Sequence, residues 1–329
     1  MERELTVVTG ATGQVGRRLL ERLVHDGRHV RALVLEGDDA LNGTAGIEVV
    51  TGDVRDRASL DRAFEGASSV FHLAAVVSTE ADPGPLLHEV NVVGATHAVQ
   101  AARAAGVARY VHFSSIVVFD PEPQAEPLDE TRRRLSGDRL APYTRSKLAA
   151  ERAVRAEVDA GLHAVIVHPT VIVGPHETHH DGVVRGLVQA LLEGNLPATV
   201  SGGFDLVGVD CVVDGALLAE AKGRAGQSYL LGGSYYEVSE VVDIIAREAG
   251  IAAPRVEVPR WVAQVSLPLV EATERWFGVP APYNAEDLRQ LGMNRYIEHT
   301  LARRELGYRP KPIQGAVRDA IRWLRDEAR

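Results

Sequence analysis

The chain has 329 residues, 45% of them hydrophobic and 25% charged, which is the composition of an ordinary globular protein with enough length for a large core. Its net charge of −9 argues against a nucleic-acid partner, because binding a phosphate backbone requires a basic face. The single cysteine, Cys211, excludes an intramolecular disulfide and indicates a reducing, cytoplasmic compartment.

Neither an export signal nor a membrane span is expected. The opening MERELTVVTG carries charge and runs directly into an apolar strand, which is not typical of a secretory signal. No run of about 18 consecutive apolar residues occurs. The nearest candidate, WVAQVSLPLV at 261–270, is broken by Pro268, and we interpret it as a core or lid helix.

Strands and helices alternate through the first half of the chain. The apolar runs predict strands at 4–9, 29–35, 47–51, 69–74, 108–114 and 162–168. The amphipathic stretches between them predict helices at about 14–26, 56–65, 84–105 and 141–160. Strands of nearly continuous apolar character separated by helices indicate a parallel sheet covered on both faces, which is a doubly wound α/β Rossmann fold.

The alternation fades after HPTVIVGP at 168–175. We predict a dinucleotide-binding domain over 1–170 and a smaller, mostly helical substrate-binding portion over 171–329. We expect this second portion to pack over the carboxyl edge of the sheet and to return some segments to the Rossmann core. The Pro-rich and acidic DPEPQAEPLDE at 120–130 predicts a loop.

The stretch TVVTGATGQVG places three glycines between the first strand and the first helix. A pyrophosphate bound there needs free backbone amides, the positive end of a helix and no Cβ in the way. Gly10 can form the tight turn, Gly13 lets the backbone approach the phosphates, and Gly16 lets the helix pack close to the strand. A purely structural turn is the alternative, but the position at the first crossover favours nucleotide binding.

The end of the second strand bears on the choice between NAD and NADP. A carboxylate at this position holds an adenosine ribose, whereas an arginine accepts a 2′-phosphate. The strand ends with Leu35 and Glu36, which favours NAD over NADP, although Arg17 or Arg18 could reach a phosphate from the first helix. Glu36 could instead be a solvated turn residue.

The third strand is followed by GDVRD, which brings Asp53 and Val54 to another carboxyl edge. A carboxylate there can accept a hydrogen bond from the adenine amino group. The alternative is a helix-capping turn, a role that Asp56 serves better.

In APYTRSKLAAER, Tyr143 precedes Lys147 by four residues within a predicted helix, so both side chains lie on one face. A tyrosine is a poor acid–base catalyst at neutral pH unless a nearby positive charge favours its phenolate. A lysine ammonium provides this charge and can also donate to ribose hydroxyls, for which the arginine fork is too broad. The pair therefore indicates a proton-transfer site.

The fifth strand ends VHFSSIVVFD, which brings Ser114 and Ser115 to the same carboxyl edge. A serine hydroxyl there could hold a carbonyl oxygen while Tyr143 delivers or removes the proton. A hydrogen bond within the turn is the alternative for such a serine, and we favour that alternative for Ser114.

These features together resemble the extended short-chain dehydrogenase/reductase superfamily, of the NAD-dependent epimerase/dehydratase type. The resemblance is carried by TGATGQVG (9–16), GDV (52–54), HLAA (72–75), VNVVGA (90–95), FSS (113–115), YTRSK (143–147) and HPTVIVGP (168–175). The C-terminal LARRELGYRPKPIQGAVRDAIRWLRD (301–326) is also similar, so the resemblance spans essentially the whole chain. HPTVIVGP is most similar to the branch of dihydroflavonol 4-reductases and 3β-hydroxysteroid dehydrogenases.

The resemblance implies roles by position. Ser115, Tyr143 and Lys147 would form the catalytic triad, and Asn91 would help to fix the catalytic region. The implied cofactor residues, with Lys147, are Gly10, Thr12, Gly13, Gln14, Val15 and Gly16 at the pyrophosphate, Glu36, Asp53 and Val54 at the adenosine, Ala74 and Ala75 at the cofactor ribose, and Pro169 and Ile172 at the nicotinamide.

The chain departs from the pattern of this branch at two positions. His168 replaces the usual arginine before Pro169, which leaves the polarity of the pocket open. Leu35 replaces the arginine after the second strand, which counts against NADP.

Three functions are compatible with these residues. The one we favour is an NAD(P)-dependent oxidoreductase that interconverts a ketone and a secondary alcohol on a small organic substrate, with Tyr143 as general acid/base. A nucleotide-sugar epimerase or dehydratase would use the same triad and keep NAD tightly bound. A non-catalytic dinucleotide sensor needs no proton relay, so the intact triad argues against it.

The loop HETHHDG (176–182) follows the cofactor strand. His176, His179 and His180 have a spacing that metal ligands can use. Hydride transfer requires no metal, so we expect none here and interpret the loop as a substrate loop or solvated surface.

Ser78 and Thr79 lie just beyond the fourth strand, where they could contact substrate or form an ordinary loop. With His176 they are the candidate substrate residues. The resemblance also implies a homodimer through the helices at about 84–105 and 141–160.

Overall fold

Seven parallel strands form the central sheet of the computed structural model, which describes residues 4–78, 83–137, 140–177, 183–277, 288, 291–292 and 295–327. In chain order the strands of the structure are β1 Leu5–Thr9, β2 His29–Val34, β3 Ile47–Thr51, β4 Ala67–His72, β5 Arg109–Phe113, β6 Ala164–Pro169, β7 Val171–Val173, β8 Thr199–Val200, β9 Gly203–Gly208, β10 Ser228–Leu231, β11 Ser234–Glu237 and β12 Glu257–Val258. The large sheet has the order β10-β6-β5-β4-β1-β2-β3, and its neighbouring strands are all parallel. The predicted doubly wound fold is confirmed.

Helices cover both faces of this sheet. The helices are α1 Gln14–His25, α2 Arg57–Phe64, α3 Gly84–His88, α4 Ala95–Ala104, α5 Pro142–Asp159, α6 Val183–Leu192, α7 Val209–Lys222, α8 Val238–Ala249, α9 Arg260–Phe277 and α10 Gln314–Glu327. One core cluster joins the sheet to α1 and α7, and a second joins it to α2, α4 and α5. The carboxyl ends of the strands therefore meet at one edge, where the predicted site residues lie.

The predicted helix at 84–105 is three segments in the structure. A π-helical turn, Glu89–Gly94, lies between α3 and α4 and contains Asn91. A π-helical turn inserts an extra residue into the helix and is frequent at functional sites.

The second half contributes to the large sheet more than the sequence predicted. Strand β10 pairs with β6 as the seventh strand, and α7 packs against the sheet. β10 is only SYLL, four buried residues, which is too short to show a period in the sequence.

The remaining elements form a smaller portion with its own core. Strands β11, β9 and β7 form a three-stranded sheet, and β12 pairs with β8. Residues of α6, α8 and α10 pack with this sheet around Val188, Ile245 and Val317. The boundary at residue 170, the homodimer and the cytoplasmic location stay predictions.

Helix α9 contains the stretch 261–270, which was interpreted as a core or lid helix. Pro268 lies inside the helix and does not end it. Ala263 is buried, but Trp261, Val265 and Leu269 are 67%, 76% and 69% exposed, so only one face of the helix belongs to the core. Among the helices that the structure describes, none combines the length and apolar character needed to cross a bilayer.

Candidate active site

The glycine loop is shaped by close backbone contacts. Gly10 has a φ of +67°, and a Cβ on it would lie 2.6 Å from the backbone nitrogen of Ala74. A Cβ on Gly16 would lie 2.2 Å from the carbonyl oxygen of Gly10. Both positions require glycine because other chain segments occupy the space of a side chain.

Gly13 differs, because the protein itself leaves room at this position. A Cβ on Gly13 would come no closer than 3.5 Å to Gly10 O, an ordinary contact. Gly13 is the N-cap of α1 with extended backbone, and no side chain caps the helix there. Uncapped amides at a helix N-terminus beside an open glycine fit a pyrophosphate.

The other loop side chains are used within the protein. Gln14 Nε2 donates to the carbonyl oxygen of Gly174 at 3.1 Å, which ties the loop to the end of β7. Val15 packs against the core, and the Thr12 carbonyl accepts from Arg17 Nε at 3.2 Å. The side chains of Gln14 and Val15 and the backbone carbonyl of Thr12 are therefore engaged within the protein.

At the adenosine end, Asp53 already has a partner. Its carboxylate accepts hydrogen bonds from Arg55, one of them 2.7 Å long, and this contact lowers the pKa of Asp53. A hydrogen bond from adenine would compete with Arg55. Val54 is buried, and Asp56 caps α2 by accepting from Ala58 N at 3.0 Å.

Leu35 and Glu36 follow β2 directly. Leu35 is 57% exposed and Glu36 is also exposed, so both are open to a ligand at this edge. The structure thus places an apolar and an acidic side chain where an adenosine ribose would lie.

Asn91 ties the loop after β4 to α5. Its Oδ1 accepts from Val76 N at 2.7 Å, and its Nδ2 donates to Val76 O at 2.8 Å and to Ser146 Oγ at 3.0 Å. The side chain is 2% exposed. Ala74 and Ala75, the predicted ribose contacts, are half-buried in this loop, so Asn91 determines where they lie.

Ser115 and Tyr143 meet at the end of β5. Ser115 caps the 3-10 turn Ile116–Val118, and its side chain lies close enough to the Tyr143 phenol to affect the pKa of that phenol. Burial raises the pKa of Tyr143 to about 12, and the Ser115 side chain opposes this shift. The phenol is therefore protonated at neutral pH, and its phenolate form needs a positive charge to stabilise it.

Lys147 provides that charge. Its Nζ lies 5.8 Å from the centre of the Tyr143 ring and donates to the carbonyl oxygen of Phe113 at 3.0 Å. Burial lowers the pKa of Lys147 to about 8, while Glu151 opposes the shift. The ammonium is mostly charged at pH 7, as a phenolate partner must be.

Pro169 and Ile172 lie at the end of β6 and in β7, in the large and the three-stranded sheet respectively. Pro169 is the last residue of β6, which pairs with β5, and Ile172 lies in β7 and packs against the core. Their predicted position next to the carboxyl edge fits a nicotinamide pocket.

The structure describes two of the three candidate substrate residues, Ser78 and His176. Ser78 ends the described part of the loop after β4, and Thr79 lies outside the described residues. His176 has a φ of +61°, and its ring centre lies 5.6 Å from that of Trp323 in α10. Burial and the nearby charge of Arg17 lower the pKa of His176. Its role in substrate binding stays a prediction.

In the histidine loop considered for a metal, His179, His180 and Asp181 lie outside the described residues. In the part of the chain that the structure describes, no three His, Cys, Asp or Glu side chains are grouped as metal ligands would be.

The sequence analysis missed a buried cluster behind the triad. Ser114 does not form the turn hydrogen bond we expected; its hydroxyl donates to Glu151 Oε1 at 2.6 Å. His168, the residue that departs from the family pattern, also contacts Glu151 Oε1 through Nε2 at 2.7 Å. The signal available in the sequence was the spacing of Glu151, four residues after Lys147.

A Rossmann sheet with a glycine loop and a Ser-Tyr-Lys constellation at its carboxyl edge defines an extended short-chain dehydrogenase/reductase. Residues 6–232 match the model of the NAD dependent epimerase/dehydratase family. The chain belongs to this family, and it is an NAD-dependent oxidoreductase of the extended type.

Three known proteins are especially similar to the chain. Sterol demethylase protein B from Methylococcus capsulatus is 35% identical over 98% of both chains. The 4-hydroxy-2-methyl-3-oxo-4-farnesyl-3,4-dihydroquinoline-1-oxide ketoreductase from Stigmatella aurantiaca is 31% identical over 96% of this chain and 95% of that protein. The crystal structure of gox2253 is 30% identical with a TM-score of 0.84 over 99% of both chains. The predicted similarity to reductases of this superfamily is confirmed.

Proposed function

We propose that the protein interconverts a ketone and a secondary alcohol by hydride transfer, with Tyr143 as general acid/base. The observation that carries this proposal is the meeting of Tyr143, Ser115 and Lys147 at the carboxyl edge of the sheet. Tyr143 and Lys147 lie on α5 and Ser115 follows β5, and a proton-transfer reaction is the chemistry that needs all three.

Each residue has a distinct task in this reaction. The nicotinamide, when bound, supplies or accepts the hydride. The Ser115 hydroxyl holds the substrate oxygen, and the Tyr143 phenol donates its proton to that oxygen during reduction or removes a proton from the alcohol during oxidation. The Lys147 ammonium stabilises the phenolate that oxidation requires, against the effect of burial.

The preferred cofactor is NAD. Exposed Glu36 would repel a 2′-phosphate, and Leu35 offers it no donor. The guanidinium of Arg18 is held by Asp210 at 2.8 Å, and Arg17 donates to the Thr12 carbonyl. Arg17 and Arg18, the two cations that could reach a 2′-phosphate from the first helix, therefore already have partners within the protein.

The substrate class we propose is a lipophilic ring system that carries one ketone or secondary hydroxyl group, such as a sterol. The names of the relatives support this class, because one concerns a sterol and another a farnesylated quinoline oxide. A nucleotide sugar is less well supported. Arg185 donates to the Glu177 carbonyl, and Arg224 pairs with Glu305 at 2.6 Å, so neither is free for a diphosphate.

The test is the oxidation of a 3β-hydroxysteroid. Pregnenolone is the substrate, and the absorbance of the NADH formed measures the rate. Tyr143→Phe should lower kcat by a factor of about 10² to 10⁴, because it removes the proton-transfer group. The affinity for NAD⁺ should change less than about twofold, since the phenol does not hold the cofactor.

Tyr236→Phe, which removes a phenol hydroxyl from β11, is the matched control and should retain wild-type turnover. Wild-type kcat in Tyr143→Phe would refute the acid/base role. NAD that copurifies, does not exchange and supports epimerisation of UDP-glucose would favour the epimerase instead.

A further inference from the structure

One buried carboxylate connects the elements that carry the proposed catalytic residues. Glu151 follows Lys147 by four residues and Tyr143 by eight, so the three lie along one face of α5. The Glu151 side chain is only 4% exposed. A carboxylate buried to this degree is unfavourable unless hydrogen bonds and opposite charges compensate the lost hydration.

Two strand ends provide the hydrogen bonds. Ser114 Oγ and His168 Nε2 both donate to Glu151 Oε1, at 2.6 and 2.7 Å. Ser114 directly precedes the proposed catalytic serine, and His168 directly precedes the proline at the end of β6. One oxygen atom thus holds the carboxyl ends of β5 and β6 against the helix that carries the tyrosine and the lysine.

Two guanidinium groups provide the opposite charge. Arg134 Nε lies 3.6 Å and Arg155 Nη2 lies 3.7 Å from Glu151 Oε2. Burial raises the pKa of Glu151, but His168, Ser114 and Arg134 outweigh it and lower that pKa below its usual range. Burial lowers the pKa of His168, so it acts as a neutral donor. The charged groups of the cluster are therefore one carboxylate, Glu151, and the two guanidinium groups.

The other titratable groups near Lys147 are neutral. Burial lowers the pKa of His72 on β4 to about 3 and that of His112 on β5 well below its usual value. Among the described residues, Glu151 is the carboxylate whose charge acts on the Lys147 ammonium.

We propose that Glu151 is a positioning residue for the reaction. It keeps the Lys147 ammonium charged, and through Ser114 and His168 it fixes the strand ends relative to α5. The effect of Glu151 on turnover rests on the proposed function, whereas its effect on Lys147 does not. A histidine suits this place because it donates to the carboxylate without adding a second buried charge.

The effect on Lys147 can be measured without any substrate. The chain has only 3 lysines, so ¹³Cε-lysine labelling gives three resonances that can be titrated by NMR, and Lys147→Met assigns one of them. The wild-type midpoint of Lys147 is expected near pH 8. Glu151→Gln removes the charge, but its amide oxygen can still accept from the serine and the histidine, so the midpoint should fall by about one pH unit.

Two variants control this experiment. Glu157→Gln on the same helix loses an ion pair with Arg103 away from the site and should leave the Lys147 midpoint unchanged. Glu151→Asp keeps the charge on a shorter stem, so its midpoint should stay within about 0.3 units of wild type while kcat falls about tenfold or more. An unchanged midpoint in Glu151→Gln would overturn the proposal. If Glu151→Gln does not fold, wild-type kcat in Glu151→Asp would overturn it.

The pH profile of kcat separates positioning from a purely structural role. In Glu151→Gln the loss of activity at high pH should begin about one unit lower, because the ammonium deprotonates earlier. A structural defect would instead lower kcat by the same factor at every pH. Loss of turnover in Tyr143→Phe together with a wild-type pH profile in Glu151→Gln would refute this proposal alone. Turnover retained in Tyr143→Phe would refute the proposed function, and the lysine titration would still decide the role of Glu151.

Discussion

The nucleotide end and the chemical end of the sheet edge are built differently. At the nucleotide end, Gly10 and Gly16 let backbone segments approach within contact distance. At the chemical end, side chains from α5, β5 and β6 converge on Glu151 in the protein interior. The first region depends on local chain geometry and the second on a buried polar network, so mutations should affect them in different ways.

The largest expected effect lies at the nucleotide end. Gly16→Ala places a Cβ 2.2 Å from a backbone oxygen, so the backbone must shift, and we expect a loss of about 1–3 kcal/mol in the free energy of unfolding together with weaker NAD⁺ binding. Gly13→Ala makes only an ordinary contact and should retain wild-type stability while still weakening NAD⁺ binding. Thermal unfolding and calorimetric titration with NAD⁺ measure both quantities. Equal stability of the two variants would contradict the distinction between packed and open glycines.

A loss of stability of similar size, but without a new steric clash, is expected where the two regions are joined. Asn91→Ala leaves the half-buried N–H and C=O of Val76 without their side-chain partner and removes one donor from the Ser146 hydroxyl, which should cost about 1–3 kcal/mol in stability. Because the loop after β4 then loses its tie to α5, kcat should fall as well. Asn42→Ala, which removes an exposed hydrogen bond to Asp39, is the matched control. Wild-type kcat in folded Asn91→Ala would show that the loop is held by other contacts.

The smallest effect concerns cofactor choice. Leu35→Arg puts a cation at the exposed tip of β2, where it can accept a 2′-phosphate, so the ratio of kcat/KM for NADP⁺ to that for NAD⁺ should rise about tenfold. Leu86→Arg, at an exposed position of α3, tests whether added positive charge alone has this effect. A rise in Leu86→Arg as large as that in Leu35→Arg would mean that the adenosine end lies elsewhere.

The sequence predicted the local features well. The six strands of the first half begin and end within about two residues of the structure, because each is an apolar run bounded by polar turns. The glycine loop was also recognisable, because its residues are contiguous in the sequence. Tyr143 and Lys147 were recognisable because helical spacing places them on one face.

Most of the features that were missed depend on contacts between distant residues. Ser114 and His168 lie 37 and 17 positions from Glu151, and no local pattern shows that they converge on it. One missed feature is local: Asp53 was predicted at the adenine, but the sequence did not show that the side chain of Arg55, two residues later, turns back onto its carboxylate. The sequence also did not show how α9 packs. The spacing of its apolar residues does not reveal which of them are buried against the core.

The interleaved path of the chain limits how this enzyme can be recombined with its relatives. Strand β10, helix α7 and Tyr308 come from the second half but belong to the interior of the nucleotide-binding sheet, and the Tyr308 hydroxyl donates to Gly232 O at 2.9 Å. A chimera with a single crossover near residue 170 would replace part of that interior along with the substrate pocket. To change substrate specificity, individual loops should therefore be exchanged between relatives. The segment from β9 to β11 and the residues around Tyr308 should be kept from the parent enzyme.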